Sequence, residues 1–153
     1  MPYDIEEKKL EPQPILSIRT SCQIAEIGAV LKEILPEVFR HLDELGVRPS
    51  GPPFTRYHNF DGTNCEIEAG FPVAEPQSPE GRVQAGELPG GNVITTIHTG
   101  PYEQLPQAHD ALDEWLRDNG GKSRGAQWES YVTDPGTEPD PLKCQTELIW
   151  PVD

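Results

Sequence analysis

Positive charge is scarce in this sequence. Lysine and arginine number 12 against 26 aspartates and glutamates, a formal net charge of −14 over 153 residues. The densest basic spot is the sparse pair Lys122 and Arg124. Phosphate binding needs clustered cations, so nucleic acid is excluded as a partner of this chain by itself. An acidic field attracts cations, although most of the carboxylates read as a solvated surface. Long apolar runs are missing as well: none approaches the roughly 18–20 residues that span a bilayer, so no membrane partner is expected. The start, Met1-Pro2-Tyr3-Asp4-Ile5-Glu6-Glu7, lacks a basic stretch followed by an apolar one, and no secretory leader is expected. Cysteine is limited to Cys22, Cys65 and Cys144, an odd number with no metal-ligand or redox-motif spacing. Reduced thiols and a cytoplasmic location follow as expectations. Gly-x-Ser-x-Gly and glycine-rich phosphate loops are also absent, and no cysteine stands beside a plausible histidine.

What is present is a chain long enough for one core, with 17 prolines and 14 glycines set between periodic segments. That distribution reads as many short connections rather than disorder. The chain also repeats itself. Cys65, Glu68, Phe71, Pro72 and Val73 recur at the same spacing as Cys144, Glu147, Trp150, Pro151 and Val152. Ile18-Arg19-Thr20 falls on Ile97-His98-Thr99 at the same offset. Between these anchors Gly46, Gly51 and Tyr57 align with Gly120, Gly125 and Tyr131 at a shorter offset. Two indels reconcile the offsets, one at the entry to the first helix and one in a longer hairpin at 133–141. The chain reads as one domain over 1–153, with repeat one at about 5–73 and repeat two at about 83–152.

Each repeat has the same pattern. Short strands ending in leucine are expected at 5–10 and 83–88, and β-branched, alternating segments predict strands at 15–20 and 93–99. Ile24, Ile27, Leu31, Ile34, Val38, Leu42 and Leu45 recur at helical spacing up to Gly46, with Pro36 predicted to kink or split the helix near Leu35. Leu105, Ala108, Leu112, Trp115 and Leu116 mark a second helix over about 102–119, opened by Pro101 and closed by Gly120. Hairpins follow, pairing 53–59 with 64–73 and 126–133 with 142–152. The fold class is therefore α+β: a tandem duplication of a strand–helix–strand–strand unit about a pseudo-twofold. Its antiparallel sheet carries helices on one face and a ligand groove on the other.

Side chains alternate along a strand. Cys65, Ile67, Ala69, Phe71 and Val73, and likewise Cys144, Thr146, Leu148, Trp150 and Val152, are expected under the helices. The opposite face is read as carrying Glu147, Ile149, Glu129, Tyr131, His98 and, in repeat one, Tyr57. Carboxylate beside aromatic ring is the chemistry that holds a lipophilic cation. Glu66 and Glu68 read as solvent-facing. Of the histidines, His41 and His109 fall on helix surfaces, and no two among His41, His58, His98 and His109 are at i, i+3 or i+4. No metal and no cofactor are expected.

Ile97-His98-Thr99-Gly100-Pro101-Tyr102, then Trp128-Glu129-Ser130-Tyr131 with Asp134-Pro135, then Thr146-Glu147-Leu148-Ile149-Trp150-Pro151-Val152 resemble the GyrI-like domain. That family includes effector-binding domains of AraC-type and MerR-type multidrug-responsive regulators. The resemblance covers nearly the whole chain and implies a central ligand groove. It places the family's drug-meeting glutamate on Glu147 and its tyrosine on Tyr131, with Glu129 beside it and Trp128 at the groove mouth. Tyr102 joins them as a binding residue. The implied function is binding of amphipathic, cationic or aromatic small molecules, for sensing, sequestration or drug resistance. The alternative is a hydrolase of reactive electrophiles such as cyclopropane-bearing alkylators, with Glu147 as acid or base and Tyr131 and Tyr102 as orienting hydroxyls. A third reading is an interaction module protecting a topoisomerase. Two departures stand out. Only a dozen residues precede the first core strand, so any DNA-binding regulator is expected to be a separate partner. Trp150 occupies a position that is often smaller in the family.

Overall fold

The computed structural model describes residues 3–133 and 138–153. The chain forms two compact units, one of residues 12–89 and the other of residues 1–11 with 90–153.

In the first unit, β2 (Gln13–Gln23), α1 (Ile27–Leu45), β3 (Phe54–Phe60) and β4 (Asn64–Pro72) follow one another, and β5 (Gln84–Leu88) completes an antiparallel sheet in the order β3-β4-β2-β5. Leu16, Ile18 and Ala69 project from the sheet onto Ile34, Val38 and Leu42 of α1, all 1% exposed or less. Burying each of the leucine, isoleucine and valine side chains stabilises by about 1.5–3 kcal/mol. The helix is neither split nor ended at Pro36 but runs through it. Proline frees the carbonyl of Lys32, and both residues lie on the exposed side, where such a group is open to solvent. Gly46, at φ +70°, closes the helix in the left-handed region.

The second unit is built the same way, from β1 (Glu6–Leu10), β6 (Gly91–Thr99), α2 (Leu105–Asp118), β7 (Gln127–Ser130) and β8 (Gln145–Pro151), with sheet order β1-β6-β8-β7. Ile94, Leu148 and Trp150 pack on Leu105, Ala108, Leu112 and Leu116 of α2. Its hairpin strands are shorter than the sequence suggests. Residues 141–143 coil into a 3-10 turn before β8, although Thr133 N–H still reaches the Gln145 carbonyl at 3.2 Å. The hairpin insert expected at 133–141 lies in part outside the described residues.

The compact units do not coincide with the sequence repeats. β1 leads repeat one yet pairs with β6, and β5 leads repeat two yet pairs with β2. The linkers Glu11-Pro12 and Pro89-Gly90 are two residues long, and proline is locked near φ −65°. A two-residue hairpin needs positive φ, so neither strand can fold back on its successor.

Candidate functional site

Residues directly opposite each other in an antiparallel pair share a face. In β8, Thr146, Leu148 and Trp150 face α2, so Glu147, Ile149 and Pro151 face the other way. Register extends that second face: Ile97 and Ser130 stand opposite Glu147, and Thr95 and Trp128 opposite Ile149. Lys8, opposite Val93, completes it. Trp128 and Ile149 are each 4% exposed, whereas Ile97 is 43% exposed. The Glu147 carboxylate therefore rises beside an accessible aliphatic side chain from a largely buried apolar floor. Among the described residues its ion-pair partner is Lys8, whose Nζ lies 3.4 Å from Oε2 and 3.6 Å from Glu6.

The same register corrects three expected positions, and side-chain contacts place a fourth residue, Tyr131. Glu129 stands opposite Leu148 and His98 opposite Thr146, so both face α2 rather than sharing the face of Glu147. Tyr57 stands opposite Ile67, on the α1 side of its own sheet. Tyr131 follows β7 and turns its hydroxyl to Glu129 Oε1 at 3.4 Å, while its ring meets Tyr102 edge-on at 5.8 Å between centroids. Alternation within one strand follows from that strand's residues alone. What it could not supply was the pairing offset between strands, and one residue of offset exchanges the faces. His98 has a structural role, accepting or donating at Tyr3 Oη (2.9 Å) and the Pro101 carbonyl (3.1 Å).

On the α2 side these residues build a second constellation. Glu129 is 3% exposed, and its Oε2 accepts from His109 Nε2 at 2.8 Å. Trp150 Nε1 lies 3.1 Å from His109 Nδ1. An indole nitrogen only donates, so Nδ1 accepts and the ring proton sits on Nε2, aimed at the carboxylate. Trp150, His109 and Glu129 thus form one directed chain that holds a buried carboxylate in a single orientation. The sequence places His109 on a helix surface, whereas in the structure it bridges Glu129 and Trp150. The signal was its position four residues after Leu105 and three before Leu112, on the edge of the apolar stripe.

In the first unit the outward glutamates are already engaged by short contacts. Glu68 accepts from Ser17 Oγ at 2.6 Å and contacts His58 Nε2 at 2.8 Å, with its side chain 14% exposed, and so is not the solvent-facing residue expected. Burial pulls the nearby Arg56 guanidinium below its usual range, against the opposing pull of Glu68. Glu66 binds Arg19 at 2.7 Å and Asn59 at 3.2 Å, and the Arg19 hydrogen bond holds its carboxyl below the usual range. Glu147 differs from both in having one long, exposed ionic contact.

Comparison with solved structures gives the fold its setting. The chain superposes on EcmrR in a complex with DNA at TM-score 0.88 and 24% identity, covering 99% of this chain and 57% of that one. The chain thus spans a little over half of EcmrR. The EcmrR C-terminal domain alone matches at TM-score 0.85 and 23% identity, covering 100% and 99% of the two chains. SAV2435, solved bound to tetraphenylphosphonium, matches at TM-score 0.66 and 11% identity, covering 100% and 94%. A hydrolase from Listeria innocua matches at TM-score 0.69 and 13% identity, covering 99% and 93%. A comparison with curated proteins finds no match. No helix among the described residues is long and apolar enough to cross a membrane. The family model of the GyrI-like small molecule binding domain matches residues 3–153, and the chain belongs to that family.

Proposed function

We propose that the chain binds amphipathic cations on the sheet face that carries Glu147, with that carboxylate as the charge anchor. The observation behind this reading is the contrast among the outward-facing glutamates. Glu66 and Glu68 are engaged by short bonds to Arg19 and to Ser17 and His58. Among the described residues Glu147 is held by Lys8 alone, at 3.4 Å, with side chains 27% and 41% exposed. Exposed ion pairs of this kind contribute about 0–1 kcal/mol, so an incoming cation displaces the ammonium at little cost. Ile97 supplies the accessible apolar contact, and Trp128 and Ile149 make the floor beneath it dry. A lipophilic cation gains from both features at once, Coulomb attraction and apolar burial. SAV2435, of the same fold, carries such a cation.

The test is a titration with tetraphenylphosphonium followed by tryptophan fluorescence, on the wild type and Glu147→Gln. Micromolar binding that weakens at least tenfold in the variant, about 1.4 kcal/mol, is the expected result. Binding of equal strength in both proteins removes Glu147 from the site. No binding of any lipophilic cation sinks the cation reading and turns attention to neutral electrophiles as ligands or substrates.

A further inference from the structure

The first unit carries a second constellation, remote in kind from the Glu147 face. His41, three residues before Glu44, lies toward the end of α1, and that spacing sets both on one side of the helix. Across from them the chain turns back through a two-residue link, where Glu80 and Val83 exchange backbone hydrogen bonds at 3.0 Å and Gly81 supplies the positive φ of +59°. Arg82 fastens this turn to the helix through three contacts with Glu37, at 2.8, 2.9 and 3.1 Å, and one with Glu33 at 3.2 Å. Glu80 is thereby presented over α1. Between the two elements lies a cleft of about 150 Å³ bordered by Glu37, Arg40, His41, Glu44, Glu80 and Arg82.

His41 gives the cleft its chemistry. The residue is 6% exposed, although its sequence position had placed it on a helix surface. Its Nε2 lies 2.8 Å from the Ser78 carbonyl, an oxygen that can only accept, so Nε2 carries a proton and donates it. The Nδ1 lone pair then points at Glu80 Oε2, 3.3 Å away, which is again an acceptor. Two acceptors face each other there, and a cation placed between them would satisfy both. Anchoring one imidazole N–H to a backbone carbonyl fixes the direction of the other nitrogen, as in metal-binding histidines. Glu44 completes the set, with one donor atom from each of the three residues lying within 4.8 Å of the others.

We propose that His41, Glu44 and Glu80 form a site for a divalent transition-metal cation of the zinc type, which clasps the 78–83 turn to α1. One nitrogen and two carboxylate oxygens suit zinc, with water in the fourth position. The same donors suit magnesium poorly, because that ion favours an all-oxygen octahedron and keeps its waters. Both carboxylates are exposed, so they can close on the ion by rotamer changes alone.

The experiment is calorimetric titration of the full chain with zinc chloride in a non-chelating buffer, with magnesium as comparison. Glu44→Gln/Glu80→Gln alters only exposed side chains and keeps the fold, which circular dichroism verifies; His41→Gln is the second variant. One equivalent of zinc at micromolar Kd, weakened at least tenfold in both variants and not matched by magnesium, is expected. Cys22 and Cys65 stand opposite each other on β2 and β4, so Cys22→Ser is titrated too and is expected to bind as the wild type does. Absence of zinc binding overturns the proposal. So does binding that survives the double variant, binding lost only in Cys22→Ser, or equal affinity for magnesium.

Discussion

Replacing His109 by alanine removes both neighbours of one imidazole at once, and the cost follows from the geometry. The bond from Nε2 to the buried Glu129 carboxylate, 2.8 Å, has an ionised acceptor and is worth about 1.5–3 kcal/mol. The bond from Trp150 Nε1, 3.1 Å, is between neutral groups and contributes about 0.5–1.5 kcal/mol. The His109 side chain is 23% exposed, so water enters the vacated space and recovers part of this. The expected loss is about 2–4 kcal/mol, or roughly 5–10 °C in Tm for a chain of this size. Urea unfolding followed by circular dichroism reads it, with His109→Gln alongside. A glutamine amide can donate to Glu129 and accept from Trp150, and it should recover about half of the loss. A His109→Ala protein within about 0.5 kcal/mol of wild type would refute the directed chain as a stabilising element.

Three further outcomes are expected. Lys8→Ala removes the ammonium that competes at Glu147, and should tighten tetraphenylphosphonium binding by up to about fivefold, the ceiling for an exposed pair; unchanged affinity in fluorescence titration refutes competition. Burial, with Cys22 opposite, pushes the Cys65 thiol up to about 11 from 9.0. A value raised by folding means stability present below pH 9 and lost as pH climbs through 11, and alkylation of Cys65 at pH 8, read by peptide mass spectrometry, should be at least tenfold slower than in urea. Equal rates in the two conditions would contradict it. Gly70→Ala would set a Cβ on the Leu16 carbonyl and 2.7 Å from Ser17 Cα, backbone that cannot yield. A loss of about 3 kcal/mol or more, or failure to fold, is expected in thermal melts, and a near-neutral variant would mean β2 and β4 do not pair in the register Gly70 to Ser17.

Local order was legible in the sequence because it depends on neighbours along the chain. The apolar spacing from Ile27 to Leu45 and from Leu105 to Leu116, each closed by glycine, requires nothing beyond helical geometry. The alternation that put Leu148 and Trp150 under α2, and Glu147 and Ile149 on the other side, is likewise a property of one strand. The repeated anchors revealed a strand–helix–strand–strand plan, and the family motifs pointed to Glu147.

Other features depend on how strands meet, and only the tertiary structure decided them. The offset of β7 against β8 sent Glu129 toward α2 and brought Trp128 to the side of Glu147. Long-range pairing joined β1 to β6, β5 to β2, and Cys22 to Cys65 across 43 positions, numbers 22 and 65. His41 became the buried partner of a carbonyl, and His109 the half-buried partner of a carboxylate, because the Ser78–Val83 turn and β7 came to lie against their helices. A sequence fixes which side chains share a face of their own element. Which faces then meet is set by closing loops and matching registers over the whole chain, and that is where Glu68 gained short contacts to Ser17 and His58 while Glu147 kept one long contact to Lys8.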